Sequence, residues 1–286
     1  MSVNVPLVTL NNGLKIPQLG FGVYLIPEEE AAKSVAEALK LGYRSIDTAH
    51  GYNNEKQVGE GIKQSGIPRN EIFVTSKLWP SEYGEGVTLK GIERMLKRLD
   101  LDYLDLVLLH HPLKDFVGAY KDCEKAYEKG LVKSIGISNF EGELYDNFIK
   151  NVKIIPAVNQ IECNPFVKQT ELSKKLAEKN IKVESWQPIA HGDKELLENE
   201  EVLKIAKKYN KTGAQVVLRW HIEKGFIPLV KSVNPNRMKE NLNIFDFKLS
   251  DDDMKVLDSF KEKKFFNDER RKWFESKVDE FNPKYE

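Results

Sequence analysis

Cysteine is scarce in this chain: two among 286 residues, Cys123 and Cys163, and neither belongs to a C-x-x-C pair or a Cys/His cluster with zinc spacing. That excludes a disulfide framework and a structural zinc, and both thiols read as reduced and structural. Excess charge of either sign is also absent, because 44 Lys and Arg balance 44 Asp and Glu. No basic field exists to gather nucleic acid or an anionic membrane surface, so neither partner is expected. No apolar run reaches the length of about 18 residues that a bilayer span needs, and the N-terminal residues show no basic segment leading an apolar one. The expectation is therefore a cytoplasmic protein. Glycine and proline, 18 and 12, are too few for a collagen-like or linker chain. What is present is 41% hydrophobic and 10% aromatic residues, enough for a globular protein with a sizeable core.

A short β-rich run followed by an amphipathic segment recurs along the chain, with no Ser/Gly/Pro-rich linker, so one domain over 1–286 is expected. A hairpin over 7–16 stands outside the repeat; its turn residues Asn11, Asn12 and Gly13 tolerate the positive φ of tight turns. Strands are expected at 19–24, 45–49, 72–78, 104–110, 132–138, 157–162, 182–188 and 227–232. Helical patterns fall between them, at 31–41, 54–64, 89–99, 116–128, 169–178 and 214–223. Several strands are nearly continuous apolar runs, as parallel strands covered on both faces are. Eight such units imply an α/β fold of the closed (β/α)8, or TIM, barrel type rather than an open doubly wound sheet. The dinucleotide fingerprint of the open sheet is missing, since Gly20 and Gly22 are followed by Leu25 where the third glycine would stand.

In a parallel barrel the C-terminal strand ends share one rim. That rim collects Asp47, Lys77, His110, Ser138 with Asn139, Asn159 with Gln160, Trp186 with Gln187, and Lys231 with Ser232; Tyr52 follows Asp47 in the loop above. Taken singly, each is a solvated loop residue or a satisfied polar group. Lys77, however, lies within an apolar strand, where an ammonium is costly to bury unless a carboxylate pairs with it, and Asp47 on the neighbouring strand is the obvious partner. An ammonium beside Tyr52 favours its phenolate and makes it a proton donor near neutral pH. A neutral His110 could donate a hydrogen bond to a carbonyl oxygen.

These residues lie in stretches that closely resemble the aldo-keto reductase family: Asp47-Thr48-Ala49-His50-Gly51-Tyr52-Asn53-Asn54-Glu55, Ser76-Lys77-Leu78-Trp79, Leu108-Leu109-His110, Gly136-Ile137-Ser138-Asn139-Phe140, Asn159-Gln160-Ile161-Glu162, and Lys231-Ser232-Val233 through Arg237 to Glu240-Asn241. They run in family order, and the short loop after Trp186 is similar to prokaryotic and protozoan members such as 2,5-diketogluconic acid reductases and prostaglandin F synthases. The resemblance implies NADPH-dependent reduction of aldehydes and ketones to alcohols. Tyr52 would be the general acid, Lys77 and Asp47 the pair lowering its pKa, and His110 the residue orienting the carbonyl. Trp186 would stack on the nicotinamide, with Ser138, Asn139 and Gln160 holding its carboxamide. Gly22, Val23, Gln187 and Ile189 would line the ribose and pyrophosphate, and Asp47 would also be cofactor-binding. Lys231, Ser232 and Arg237 would grip the 2'-phosphate, which favours NADPH over NADH, Glu240 and Asn241 would meet the adenine, and Val233 would join the cofactor-binding set.

Tyr24 and Trp79 match substrate-channel positions. His111 stands directly after the catalytic His, where many mammalian members have Trp, giving a more polar wall that could titrate near neutral pH. A small aldehyde or ketone, or a polar sugar-like carbonyl, would fit. The tail over 261–286 has least resemblance; its aromatics, Phe265, Phe266, Trp273, Phe274 and Phe281, point to a helix or lid folded back on the barrel, while its charges would suit the outer surface. A monomer is expected. Two other classes remain at this level: a non-catalytic NADP-binding subunit or sensor, and a hydrolase with paired carboxylates, for which Asp47 and Glu55 are the only neighbours with candidate spacing.

Overall fold

Asn11, Asn12 and Gly13, the last at φ +85°, turn the chain back on itself at the N-terminus. The structure, a computed structural model that describes residues 4–283, pairs β1 (Leu7–Thr9) antiparallel with β2 (Lys15–Pro17) on either side of that turn. The first and last three residues of the expected 1–286 domain, including the end of the 261–286 tail, lie outside the described range. Leu10 and Ile16 from this hairpin pack with Phe73, Leu106, Ala157 and Ile227, whose positions mark the N-terminal ends of barrel strands. Asn11 Nδ2 donates to Pro156 O at 2.8 Å and Asn12 Nδ2 to Lys133 O at 2.9 Å. The hairpin is thus the floor of the barrel, and everything polar enough for chemistry is left to the opposite rim.

The eight expected strands form, each shorter at one or both ends. They are β3 (Gly20–Gly22), β4 (Ser45–Asp47), β5 (Phe73–Leu78), β6 (Leu106–Leu109), β7 (Ile135–Ser138), β8 (Val158–Glu162), β9 (Lys182–Trp186) and β10 (Ile227–Val230). All neighbours are parallel, and β10 pairs with both β9 and β3, which closes the barrel. The helices between them include α1 (Glu28–Leu41), α2 (Glu55–Ser65), α3 (Thr88–Leu99), α4 (Phe116–Glu128), α5 (Gly142–Phe148), α6 (Thr170–Glu178), α7 (Lys194–Leu197), α8 (Glu200–Tyr209) and α9 (Gly213–Glu223). In α3, Thr88, Gly91, Ile92, Met95, Leu96 and Leu99 are buried at three- and four-residue steps, and Asp100 in the left-handed region ends it. After β10 come α10 (Pro235–Leu242), α11 (Asp251–Asp258) and α12 (Asp268–Lys277).

Period-two alternation along the strands builds the site. On β5, Phe73 belongs to the inner barrel cluster while Val74 and Leu78 join the outer core beneath the helices. Lys77, two positions on from Thr75 and four from Phe73, therefore faces inward at the top. The same phase sends Asp47, Ser138, Gln160, Glu184 and Trp186 inward on their strands. The interior is tight: a Cβ on Gly136 would lie 2.6 Å from Leu108 Cδ2. Polar side chains crowded into so narrow a mouth must satisfy one another.

Candidate active site

Lys77 is fully buried, and its ammonium is ringed by three oxygens: Asp47 Oδ1 at 2.6 Å, Thr48 O at 2.8 Å and the Tyr52 hydroxyl at 3.2 Å. Burial alone would favour the neutral amine, but Asp47 and the other partners hold the pKa above its ordinary value. The second Asp47 oxygen accepts from Gln160 Nε2 at 2.9 Å. Both charges are thus paired and hydrogen-bonded, the condition under which a buried ion pair is tolerated.

Tyr52 closes a 3₁₀ turn (His50–Tyr52) above β4. That turn is pinned from below: His50 Nδ1 lies 2.7 Å from Glu82 Oε2, and a Cβ on Gly51 would lie 2.6 Å from Trp79 Cε3. The Tyr52 ring sits 5.0 Å from Tyr24 and 5.6 Å, edge-on, from His110. One expectation is corrected here. Lys77 pulls the phenol's pKa down, but desolvation outweighs it and Asp47 opposes it, so the pKa rises to about 12. Tyr52 is therefore a protonated phenol throughout the physiological range.

The His110 imidazole has no hydrogen-bonding partner among the described residues, and its Nδ1 is buried. Burial, then His111 and Lys77, hold its pKa well below the ordinary value, so it is a neutral imidazole. His111 is the second correction. It stacks on His110 with centroids 4.6 Å apart and packs against Phe274 at 4.4 Å. Burial, Lys77 and Arg271 push it down to about 3, so it does not titrate near neutral pH. Trp79 is buried edge-on to both histidines, whereas Tyr24 is 52% exposed at the rim.

Trp186 is half-buried and donates through Nε1 to Asn139 Oδ1 at 2.9 Å. Asn139 Nδ2 in turn donates to His110 O, and Ser138 Oγ to Gln160 O. Gln187 and Ile189 follow on the rim, Gln187 at φ +53°. Gly22 is half-buried at the end of β3, while Val23 is fully buried beneath the rim, with its carbonyl accepting from Asn54 Nδ2. Farther out, Lys231 and Arg237 are exposed, and neither makes an ion pair among the described residues. They flank Ser232 and the start of α10, where Asn234 caps the backbone N–H groups of Asn236 and Arg237. Val233 is exposed and Asn241 buried; Glu240 Oε1 accepts from Thr212 Oγ1. The arrangement offers phosphate-grade donors at one end and an aromatic face with amide groups at the other. Glu55 faces Ser76 and Arg98, away from Asp47, so no carboxylate pair forms.

One feature escaped the sequence. Glu184 is completely buried one layer below Trp186; Gln160 Nε2 lies 3.0 Å from its Oε2, and its Oε1 has no partner among the described residues. The alternation that places Trp186 inward places Glu184 inward too, so the signal was there. The tail takes the helix-or-lid course expected of its aromatics: Phe265 and Phe266 donate backbone N–H groups to Glu162, and α12 then brings Phe274 onto Trp79 and His111. It folds back over the mouth as a helical lid.

The aldo/keto reductase family profile matches residues 18–262. A 9,11-endoperoxide prostaglandin H2 reductase of Trypanosoma cruzi is 43% identical over 92% of this chain and 94% of its own length. A glyoxal reductase of Bacillus subtilis is 44% identical over 88% and 91%. Among solved structures, a Bombyx mori aldo-keto reductase in complex with NADP superposes with a TM-score of 0.89 at 31% identity, covering 94% of this chain and 97% of that one.

Proposed function

The chain belongs to the aldo/keto reductase family and reduces aldehydes and ketones with NADP(H); on that premise, we propose that Tyr52 is its general acid and that Lys77, Asp47 and His110 complete the catalytic group. The observation that carries this reading is the Lys77 ammonium, 3.2 Å from the Tyr52 hydroxyl and anchored at 2.6 Å on Asp47. The bound dinucleotide supplies the hydride that reduces the carbonyl carbon. Tyr52 O–H gives its proton to the carbonyl oxygen, and the nearby ammonium stabilises the phenolate left behind. His110, its imidazole neutral and without a hydrogen-bonding partner among the described residues, donates a hydrogen bond to the same oxygen and so orients it. A phenol that stays protonated to about pH 12 suits this direction, because the acid must be loaded before the step.

The cofactor reading places Trp186 against the nicotinamide, Ser138, Asn139 and Gln160 at its carboxamide, and Lys231, Ser232 and Arg237 at the 2'-phosphate. Two exposed cations that form no ion pair among the described residues, beside a capped helix start, are the donor set a phosphate dianion rewards. Gly22, Gln187 and Ile189 would border the dinucleotide between these ends, with Val23 supporting them from below, and Val233, Glu240 and Asn241 near the adenine. The substrate is a small carbonyl compound bounded by Tyr24, Trp79, His110 and His111. We read 1–286 as one barrel domain acting as a monomer, since a single chain supplies the whole catalytic group. Two buried free cysteines accord with a reducing cytoplasm.

The test is Tyr52→Phe. Aldehyde-dependent NADPH oxidation should fall by roughly 10²- to 10⁴-fold while quenching of Trp fluorescence by NADPH persists. Undiminished turnover would remove Tyr52 from the role.

A further inference from the structure

Glu184 is an acid buried for the sake of one contact. It is completely inaccessible on β9, and among the described residues the only group that hydrogen-bonds its carboxyl is the side-chain amide of Gln160, Nε2 to Oε2 at 3.0 Å. Burying a carboxyl carries a desolvation cost that an apolar side chain of similar size would not, and a single hydrogen bond does not offset it. The use of Glu184 is therefore to be sought in what Gln160 does.

Gln160, itself 2% exposed on β8, is strung across the barrel by its amide nitrogen. Glu184 is its register partner on the adjacent strand. Asp47, whose Oδ2 takes the other bond at 2.9 Å, lies on β4, four strands away in the ring of eight and so on the opposite wall. An amide nitrogen has two hydrogens, and both are committed. The amide oxygen is left over, and no described residue donates to it. Turned end for end, that oxygen would face Asp47 acceptor against acceptor, so the chemistry allows one orientation. The main chain beneath is fixed as well, since Gln160 O accepts from Ser138 Oγ at 2.9 Å and from Asn139 N at 3.0 Å. With Asp47 alone the amide would hang from one bond and swing about it; Glu184 supplies the second point that holds its plane.

We propose that Glu184 is a positioning residue for the dinucleotide: it holds the Gln160 amide so that the amide oxygen accepts the N–H of the nicotinamide carboxamide, on the reading above that Gln160 meets that group. Glu184 acts only through Gln160. A carboxamide caught by an acceptor that cannot swing is itself kept from rotating, which steadies the ring that delivers the hydride.

The experiment compares the binding of NADP+ with that of 3-acetylpyridine adenine dinucleotide phosphate, whose acetyl group keeps the carbonyl but has no N–H to donate. Dissociation constants are read from quenching of Trp fluorescence in the full chain, for wild type, Glu184→Met, Glu184→Gln and Glu184→Asp. Wild type should prefer NADP+ by about fivefold, the worth of one neutral hydrogen bond. Glu184→Met should lose most of that preference. Glu184→Gln, which keeps an acceptor for Gln160, should retain it within about twofold. Glu184→Asp draws the carboxyl back by one methylene and should lose it too, which decides the matter if Glu184→Met fails to fold. Equal weakening of both dinucleotides in Glu184→Met and Glu184→Asp, with the preference intact, would make Glu184 merely structural and overturn the proposal. A wild type that binds the two alike would take Gln160 away from the carboxamide and overturn it as well. No quenching by either dinucleotide would overturn the cofactor reading itself.

Discussion

Glu184 reaches Asp47 through a single amide: Gln160 Nε2 lies 2.9 Å from Asp47 Oδ2 and 3.0 Å from Glu184 Oε2. Lys77 balances Asp47, which leaves no cation for a second carboxylate. Burial first, and then Asp47, push the Glu184 carboxyl up to about 8, so it holds its proton at neutral pH. The catalytic group therefore rests on a neutral acid that keeps the local charge at zero.

That proton makes stability depend on pH. Glu184's folded pKa lies above its ordinary 4.5, so between that value and about 8 the unfolded chain has released a proton that the folded chain retains. Stability from this group accordingly falls as pH rises through that window. Glu184→Gln preserves the neutral shape and the acceptor for Gln160. Thermal melts should show a flatter decline from pH 5 to about 8 in the variant, with the larger gain in Tm at the alkaline end. Identical slopes would show that Glu184 is already ionised in the fold.

Lys77 and Asp47 should couple strongly. Lys77→Met leaves a buried carboxylate without its cation and should cost about 3–5 kcal/mol, as should Asp47→Asn to a lesser degree. The double variant removes both charges, and its cost in denaturant unfolding should be clearly smaller than the sum of the two. Simple additivity would contradict the ion pair at 2.6 Å.

The two adjacent histidines should be silent near neutrality. His111 is pushed down to about 3 and His110 well below its ordinary range. For an uncharged aldehyde, kcat/KM should be level between about pH 5 and pH 7, with no limb near the free-imidazole value of about 6.5. A limb there that disappears in His111→Gln would place a titrating imidazole in the wall.

The barrel and its rim were legible because strand ends in a parallel barrel converge wherever they lie in the chain, so Asp47, Lys77 and His110 could be gathered from sequence alone. The protonation states were not. Whether Lys77 lowers the Tyr52 pKa depends on how completely the ring is dried, and His111 owes its neutrality partly to Arg271 on α12, which follows the barrel repeat. The patterning also hid α5 and α8. Gly142 opens α5 at φ +55°, and only Tyr145 and Phe148 are buried in it; in α8, an exposed Leu203 blurs the stripe of Val202, Ile205 and Ala206.

Cofactor preference should follow the two unpaired cations. Replacing both Lys231 and Arg237 by Ala removes the charge-assisted donors proposed for the 2'-phosphate. The NADPH-to-NADH ratio of kcat/KM should fall about 10- to 100-fold, with the NADH value little altered. An unchanged ratio would move phosphate recognition elsewhere.

The hairpin floor offers a change that separates stability from chemistry. Ile16 is fully buried against strand residues at the N-terminal end of the barrel, opposite the rim that carries Tyr52. Ile16→Ala removes three carbons from a packed site and should cost about 2–5 kcal/mol in urea unfolding, since the barrel floor is held by Leu106 and Phe73 and has little freedom to collapse. Because the catalytic hydrogen bonds arise from strand tops and the loop above β4, folded variant should retain KM and kcat within about twofold. If activity instead fell in proportion to stability at temperatures where the variant stays folded, the floor would be coupled to the mouth through the inner cluster, and the division of the barrel into a structural end and a chemical end would be wrong.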